Sequence, residues 1–409
     1  MHTTLHPSLQ HSREAREAAE IVGRCVHCGF CLATCPTYQL LGDERDSPRG
    51  RIYLIRELLE GAPASATTET HLDRCLGCRA CETTCPSGVR YGALLDVGRG
   101  LVEAQRPRSL RERVLRGALL SVVPSRKVFD ALLRVGQGLR AFLPASLRAK
   151  VPRRAVSSTE PASTSRRRVL ALDVCAESAT PATRASLARV LARCGIAIEA
   201  APAAGCCGAL AYHMGRHDEG LAAMRRNVDA WWPLVERGVE AIVVSATGCG
   251  VTVRDYGHLL FDDPAYAERA ARIAALVRDP AEIVAAEPHA WLAGVGRGQR
   301  IAFHAPCSLQ HGLKGDALVE ALLREAGYAL TPVADAHLCC GSAGSYSILQ
   351  PVLARQLRDR KLAALAAGAP SLIATANIGC QLHLGTAAPI PVRHWIELID
   401  PDAQAHADA

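Results

Sequence analysis

The chain has 409 residues, of which 49% are apolar and 21% are charged, an ordinary balance for a globular protein of two or three domains. Its 47 Lys and Arg exceed its 40 Asp and Glu only modestly, and the surplus lies in one stretch, which excludes the strong basic bias of a nucleic-acid-binding protein. Eight of its 17 cysteines form two short runs, whose spacing favours metal ligands over disulfides.

The first residues indicate where the protein works. They lack the basic segment and continuous apolar run of a secretory signal, and no apolar stretch reaches the roughly 18 residues of a membrane-spanning helix. Metal-binding thiolates also need a reducing compartment. We therefore expect a cytoplasmic protein, soluble or peripheral on the cytoplasmic face of the inner membrane.

Residues 1–106 are predicted to form a helical ferredoxin-type domain with two 4Fe-4S clusters. Two cysteine runs share the spacing C-x2-C-x2-C-x3-C-P. The first consists of Cys25, Cys28, Cys31 and Cys35, and the second of Cys75, Cys78, Cys81 and Cys85. In two-cluster ferredoxins the fourth cysteine of each run binds the other cluster. We therefore predict one cluster on Cys25, Cys28, Cys31 and Cys85, and the other on Cys75, Cys78, Cys81 and Cys35.

Zinc is the alternative metal for these cysteines, because it also binds four thiolates. Zinc motifs rarely place three cysteines at successive x2 spacing, so the pattern favours iron. Between the runs, Ile52, Ile55, Leu58 and Leu59 lie on one face of a predicted helix.

Residues 107–168 are predicted to form a basic amphipathic helical segment followed by a flexible linker that ends in VSSTEPASTSRRR. Arginines and a lysine alternate there with Leu, Val and Phe. One interpretation is a helical pair that packs on the other domains or on a partner subunit; the other is contact with a membrane surface.

An internal repeat follows, predicted as two α/β modules at 169–297 and 298–400. Each begins with a short apolar strand, continues into a helix and a Cys-Cys-Gly sequence, and reaches a second helix and a second strand that leads into a Gly-Cys pair. The four cysteines of the first module recur 131 to 133 residues later. The two sets are Cys175, Cys206, Cys207 and Cys249, and Cys307, Cys339, Cys340 and Cys380. The predicted fold class is thus α+β multidomain, a helical two-cluster domain followed by two repeated α/β modules.

The module cysteines allow two interpretations. They follow predicted strands, at the sheet edge where ligands usually bind, so each set is a candidate for a further metal centre. Buried structural thiols are the alternative. His304 and His337 have no clear match in the first module, and core or capping roles are favoured for them over metal ligation.

Nucleotide-binding motifs are missing. Neither G-x-G-x-x-G after a strand nor G-x-x-x-x-G-K-[ST] occurs, and no arrangement of catalytic residues stands out from the metal-type cysteines. We therefore expect no catalytic residue in this chain, and FAD only on a partner subunit from which electrons are received.

Two ferredoxin motifs followed by two Cys-Cys-Gly modules resemble the iron-sulfur subunits of bacterial glycolate oxidases. AGCCGAL, SATGCGVTVRDYGHLL, CCGSAGSYS and TANIGCQ are similar to segments of that family. The resemblance implies an electron-transfer subunit of a 2-hydroxyacid dehydrogenase that acts on CH-OH with an acceptor other than NAD or oxygen. Flavin-containing partner subunits would oxidise glycolate to glyoxylate, and D-lactate to pyruvate, and this chain would relay electrons toward a membrane quinone or another acceptor.

Related complexes provide alternatives. The architecture also resembles the iron-sulfur subunits of D-lactate and glycerol-3-phosphate dehydrogenases and the catalytic subunit of heterodisulfide reductase. In the last family each module ends in Cys-x-x-Cys, whereas this chain has Ala246 and Asn377 at the first of those positions. That difference argues against noncubane clusters and disulfide reduction here. A zinc-stabilised scaffold is the non-enzymatic alternative.

Overall fold

The computed structural model describes residues 2–144, 148, 151–152, 165–172, 175 and 177–405. The predicted fold class is confirmed: a helical N-terminal region precedes two parallel sheets flanked by helices. Strand β1 begins at Arg167, so regular structure starts inside the segment predicted as linker. Most of the predicted VSSTEPASTSRRR tail lies outside the described residues. The domain boundaries themselves remain predictions.

The N-terminal region is built from short helices with polar caps. Ser12, Ser47 and Ser65 each accept a backbone N–H bond at a helix start, and prolines occupy the first turn of two helices. Ile52, Ile55, Leu58 and Leu59 are buried together, as the apolar spacing predicts. The α-helices are Arg13–Arg24, Pro36–Leu41, Pro48–Leu59, Ala66–Asp73, Ala80–Thr83 and Tyr91–Gln105, with 3-10 turns at Pro7–Leu9, Phe30–Leu32 and Glu44–Asp46.

A helical pair follows, formed by Leu110–Val122 and Arg126–Gly138, with a 3-10 turn at Arg140–Phe142. Ser109 and Glu112 form a reciprocal cap at its start. Leu119 is the one buried residue of the first helix, and the second helix has none. The pair therefore leaves most of its apolar side chains in solvent.

Each module contains a four-stranded parallel sheet, and the two sheets have the same strand order, β2-β1-β3-β4 and β6-β5-β7-β8. The strands are β1 Arg167–Ala171, β2 Ile196–Glu199, β3 Ile242–Val243, β4 Val277–Arg278, β5 Arg300–His304, β6 Ala329–Thr331, β7 Leu372–Thr375 and β8 Val392–His394. The first and second strands of each predicted repeat are central here, and the edge strands β2, β4, β6 and β8 were not predicted.

Helices cover both sheets. In the first module they are Pro181–Arg193, Ala209–His213, His217–Glu236, Thr247–Arg254, Tyr256–Leu259, Ala267–Leu276 and Pro280–Ala286, with 3-10 turns at Glu177–Ala179 and Ala290–Leu292. In the second they are a π-helix at Ser308–Leu313 and α-helices at Asp316–Glu325, Tyr346–Leu349, Pro351–Ala366, Ile378–Gly385, Trp395–Leu398 and Pro401–Ala405.

The two modules share one apolar core. Val169 and Leu187 of the first pack in the same cluster as Ile301 and Trp395 of the second. His394 Nε2 lies 3.0 Å from the Ser245 carbonyl oxygen across this contact. The modules are therefore held in a fixed position relative to each other.

Candidate iron-sulfur centres

The first cavity of the N-terminal region lies against the surface. Its lining includes five cysteines: Cys25, Cys28, Cys31, Cys81 and Cys85. Cys28 is exposed, and the neighbouring Val26 and Phe30 are 68% and 60% exposed. Cys85 comes from the second run, so the structure brings it to the first three cysteines of the first run.

The second cavity is called the deeper cavity here, because three of its four cysteines are buried. Its cysteines are Cys35, Cys75, Cys78 and Cys81. Cys35 belongs to the first run and joins the first three cysteines of the second. Pro48, Cys81 and Tyr91 line both cavities, so the two are neighbours separated by these side chains.

The two cysteine loops have the same backbone turns. The second and fourth residues after the first cysteine have positive φ in both loops, His27 at 55° and Gly29 at 85° in one, Gly77 at 63° and Arg79 at 60° in the other. His27 and Arg79 are not glycines, and such residues keep this conformation where the surroundings demand it, often at functional sites. The turns direct the cysteines of each loop toward its cavity.

Backbone N–H groups point at several of these sulfurs. Gly77 N lies 3.4 Å from Cys75 Sγ, and N–H groups of Arg49 and Ala80 bond to Cys31 and Cys78. Without metal, burial raises the pKa of Cys31 to about 11, with a further contribution from Cys25. Donors around four convergent sulfurs favour thiolates, and thiolates bind iron. The residues of both cavities therefore fit a 4Fe-4S cluster.

Arg51 and Tyr91 surround the second cavity with buried donors that sequence reasoning missed. Arg51 is 1% exposed; its Nη2 lies 3.2 Å from Asp46 Oδ1, and its Nη1 lies 3.9 Å from Cys35 Sγ. Burial opposes its charge, but nearby Cys75, Tyr91, Cys35 and Asp46 leave the pKa of Arg51 raised overall. The Tyr91 hydroxyl donates to Cys75 Sγ at 3.6 Å. The two contacts with sulfur each join residues 16 positions apart, so no local sequence pattern predicts them.

Each Cys-Cys-Gly sequence is shaped by its glycine. Gly208 has φ 87° and Gly341 has φ 86°, and a Cβ at either position would stand 2.6 Å from a backbone oxygen of the following long helix, that of Gly220 or Ala354. Any residue other than glycine is therefore disfavoured at these two positions, because the positive φ strains its backbone and its Cβ would clash with the helix. This close approach packs each cysteine pair against a helix.

The first module brings its four cysteines into contact in a chain. Thiol hydrogen bonds link Cys175 to Cys206, Cys206 to Cys207 and Cys207 to Cys249. Hydrogen bonds from Cys175 and Cys207 hold the pKa of Cys206 well below its usual range, and the Arg226 guanidinium adds to the effect. One thiolate in this set is thus stabilised even without metal.

The second module repeats the chain and adds a histidine. Cys307 Sγ lies 3.8 Å from Cys339 Sγ, and further bonds link Cys339 to Cys340 and Cys340 to Cys380. His304, at the end of β5, has a ring nitrogen within 4.8 Å of the sulfurs of Cys340 and Cys380. Burial, together with Lys361, lowers the pKa of His304 to about 3, so its imidazole is neutral at physiological pH. The burial of His304 is compatible with the core role favoured from the sequence, and its distance to the two sulfurs also makes it a candidate ligand. His337 is not part of the group.

The second module also touches the deeper cavity. Burial and then the nearby Cys307 thiol raise the pKa of Cys78 well above its usual range. Thr83 Oγ1 lies 3.0 Å from His311 Nδ1, and Leu76 packs against the cluster of Tyr346 and Leu357. The sulfurs of the second module are therefore neighbours of the deeper cavity.

Comparison with known proteins agrees with these sites. A model described as a 4Fe-4S dicluster domain matches residues 21–89, and a model described as a cysteine-rich domain matches residues 169–254 and 301–385. The glycolate oxidase iron-sulfur subunit of Escherichia coli (strain K12) is 52% identical over 402 residues, which cover 98% of each chain. This chain belongs to the family of glycolate oxidase iron-sulfur subunits.

Two further relatives have lower identity to this chain. The probable glycolate oxidase iron-sulfur subunit of Bacillus subtilis (strain 168) is 32% identical over 91% of this chain and 90% of its own length. Lactate utilization protein A of Bacillus licheniformis is 27% identical over 48% of this chain and 82% of its own length. The predicted iron-sulfur cofactors and the family resemblance are thereby confirmed. In this family member, no described helix is long and apolar enough to cross a bilayer.

Proposed function

We propose that this chain is the electron-transfer subunit of a glycolate dehydrogenase complex that also accepts D-lactate. One 4Fe-4S cluster would be held by Cys25, Cys28, Cys31 and Cys85, and the other by Cys75, Cys78, Cys81 and Cys35. When bound, the two clusters supply one-electron transfer between a flavin on a partner subunit and a quinone or other acceptor. The observation that carries the proposal is the adjacency of the two cavities, which share Pro48, Cys81 and Tyr91.

The surface beside the first cavity suits a redox partner. Val26 and Phe30 present apolar side chains to solvent next to the exposed Cys28, and the Tyr53 ring lies 5.0 Å from the His27 ring at an angle of 56°. Exposed apolar groups at a metal site are typical of a docking surface. We assign the flavin subunit to this patch.

The proposal is tested on the complex purified without oxygen with its partner subunits. Addition of glycolate is expected to produce the paramagnetic resonance signals of reduced 4Fe-4S centres, D-lactate to produce them more slowly, and glycerol 3-phosphate to produce none. A complex without a flavin subunit, or clusters that stay oxidised with glycolate, would contradict the proposal. Strong reduction by glycerol 3-phosphate would favour the related dehydrogenase instead.

The docking patch has its own test. Phe30→Asp is expected to slow cluster reduction by glycolate at least tenfold without loss of iron, because it places a charge in the apolar contact. Val352→Asp is the matched control, since Val352 is also apolar and 58% exposed but does not line the first cavity. Equal rates of cluster reduction in the two variants would show that the flavin subunit binds another surface.

The helical pair at 110–138 has the side chains expected of a surface that contacts a membrane. Its exposed apolar residues include Leu110, Val114, Val128, Leu132 and Val135. Exposed basic side chains accompany them: Arg111, Arg113, Arg126, Lys127 and Arg134. Basic amphipathic helices bind anionic lipid surfaces. We expect sedimentation with anionic vesicles that is weakened by salt and lost in the Leu132→Glu/Val135→Glu double variant, but not in Val352→Glu.

A further inference from the structure

His304 ends strand β5 in the interior of the second module. His304 is 2% exposed, and its Nε2 has no hydrogen-bond partner. An unpaired buried polar nitrogen costs free energy, so native proteins normally supply a partner. The sulfurs of Cys340 and Cys380 are candidates for that partner, because they lie with a ring nitrogen of His304 inside a 4.8 Å group. A metal ion between these three atoms would satisfy the nitrogen.

The spacing of these atoms suits one ion rather than a cubane. Ligands about 2.3 Å from a single tetrahedral ion lie about 3.8 Å from one another. Cys340 bonds to both Cys339 and Cys380, and the sulfurs of Cys340 and Cys380 lie within 4.8 Å of a ring nitrogen of His304. The ferredoxin cysteines differ: within the described part of the chain, no three of them come inside a 4.8 Å group, and they line open cavities instead.

Charged and polar neighbours complete the arrangement. Lys361 is 3% exposed and lies close to Cys339 and Cys340, with its Nζ donating to the Asp335 carbonyl at 2.8 Å. Asn377 Nδ2 donates to Cys380 Sγ at 3.6 Å, and Gly341 N donates to Cys339 Sγ at 3.4 Å. A buried cation and N–H donors stabilise thiolates, the form in which cysteine binds metal.

The first module provides an internal comparison. Leu172 occupies the position of His304, since each lies three residues before the first cysteine of its module. Leu172 is also buried but offers no ligand atom. Among the described residues of that module, no three ligand atoms form a group like that of the second.

We propose that the second module binds a single zinc ion through His304, Cys340 and Cys380, with Cys339 as the fourth ligand, and that the first module does not. Neutral imidazole and thiolates in a closed four-coordinate set are typical of structural zinc. The ion would tie the end of β5 to the Cys-Cys-Gly turn and the helix at Ile378–Gly385. The proposal does not depend on electron transfer, because the metal content is measured independently of reduction by glycolate.

The test is metal analysis of the full-length protein purified without oxygen, combined with X-ray absorption at the zinc edge. The wild type is expected to contain about one zinc and about eight irons per chain, with one nitrogen and three sulfurs around zinc. His304→Leu, which copies the first module, is expected to lose the zinc and keep eight irons. His383→Leu is the matched control, because His383 lies on the same helix as Cys380 but bonds to the Ala354 carbonyl oxygen.

Several outcomes would overturn the proposal. These are about twelve irons without zinc, which indicates a third iron cluster; a zinc site with sulfur ligands only; and full zinc retention in His304→Leu. If His304→Leu fails to fold, His304→Cys decides, since a fourth thiolate is expected to retain one zinc with a sulfur-only shell. The role of His304 would be refuted if His304→Cys lost its zinc and the zinc of the wild-type protein had no nitrogen ligand.

Discussion

The cysteines of the N-terminal loops and those of the two modules are the same residue type in opposite arrangements. The loop cysteines stand apart around two cavities that share Cys81, whereas the module cysteines contact one another sulfur to sulfur. The loops achieve separation with strained turns at His27 and Arg79. The modules achieve contact by placing two cysteines in sequence before a tightly packed glycine. Spacing of the sulfurs, rather than their number, thus separates the two cluster cavities from the modules, and His304 in turn separates the second module from the first.

Removing a loop cysteine tests this difference most strongly. Cys81→Ser is expected to lose at least four irons and to abolish electron transfer, because Cys81 lines both cavities and serine is a poor replacement for thiolate. Cys31→Ser should behave similarly at the first cavity. Iron analysis and glycolate-dependent reduction measure both effects.

The control for these variants is Cys206→Ser in the first module, which is expected to keep eight irons. If Cys206→Ser removed iron while Cys81→Ser did not, the assignment of the two arrangements would be reversed.

Breaking the buried charge contacts tests how the loops are held. Arg51→Met leaves Asp46 buried at 0% exposure with one partner fewer, and loss of one member of a buried pair costs about 3 kcal/mol. Thermal unfolding should therefore show a less stable N-terminal region. Arg45→Met is the comparison, because the Arg45–Asp43 pair lies at the surface. Equal stability of the two variants would show that the buried pair does not organise the cavity.

A smaller change is expected to shift the reduction potential of the cluster in the deeper cavity while the cavity stays intact. Tyr91→Phe removes the hydroxyl that donates to Cys75 Sγ. Hydrogen bonds to cluster sulfurs favour the reduced state, so the reduction potential of the deeper cluster is expected to fall. One hydrogen bond of about 1 kcal/mol corresponds to about 40 mV for one electron. A redox titration that finds both clusters unchanged would place the Tyr91 hydroxyl outside the cluster's environment.

The smallest effect is expected at a cysteine that belongs to neither arrangement. Cys194 is buried in the core shared by the modules, and burial raises its pKa to about 11. Cys194→Ser should retain all metal and full electron transfer, with a modest loss of stability from the buried hydroxyl. Loss of metal from this variant would mean that a cysteine outside both arrangements also ligates.

Features of the fold and the candidate sites that depend on residues close together in the chain could be predicted from the sequence. The C-x2-C-x2-C-x3-C-P runs predict the cysteine loops, and the repeat at 131 to 133 residues predicts two similar modules, which the matching sheet orders confirm. The helix at Pro48–Leu59 follows from the spacing of its buried apolar residues. These features depend on neighbours in the chain, so periodicity and spacing are enough.

The missed features depend on contacts between distant segments. Tyr91 reaches Cys75 and Arg51 reaches Cys35 only after the helices have packed. Strands β4 and β8 are two and three residues long, too short for an alternating pattern. The role of His304 stays a prediction: it stands where the first module has Leu172, and both residues are buried, so the sequence difference is the only local signal for a ligand there.

The glycine after each cysteine pair has a consequence for how such modules change over evolutionary time. Gly208 and Gly341 are both fixed by backbone contact with a neighbouring helix, and this contact does not involve the sulfurs. The turn can therefore persist in a module that holds no metal. The first module, which is proposed to bind no zinc, keeps Gly208 packed as closely as Gly341, so the glycine records the shape of the turn and not its metal content.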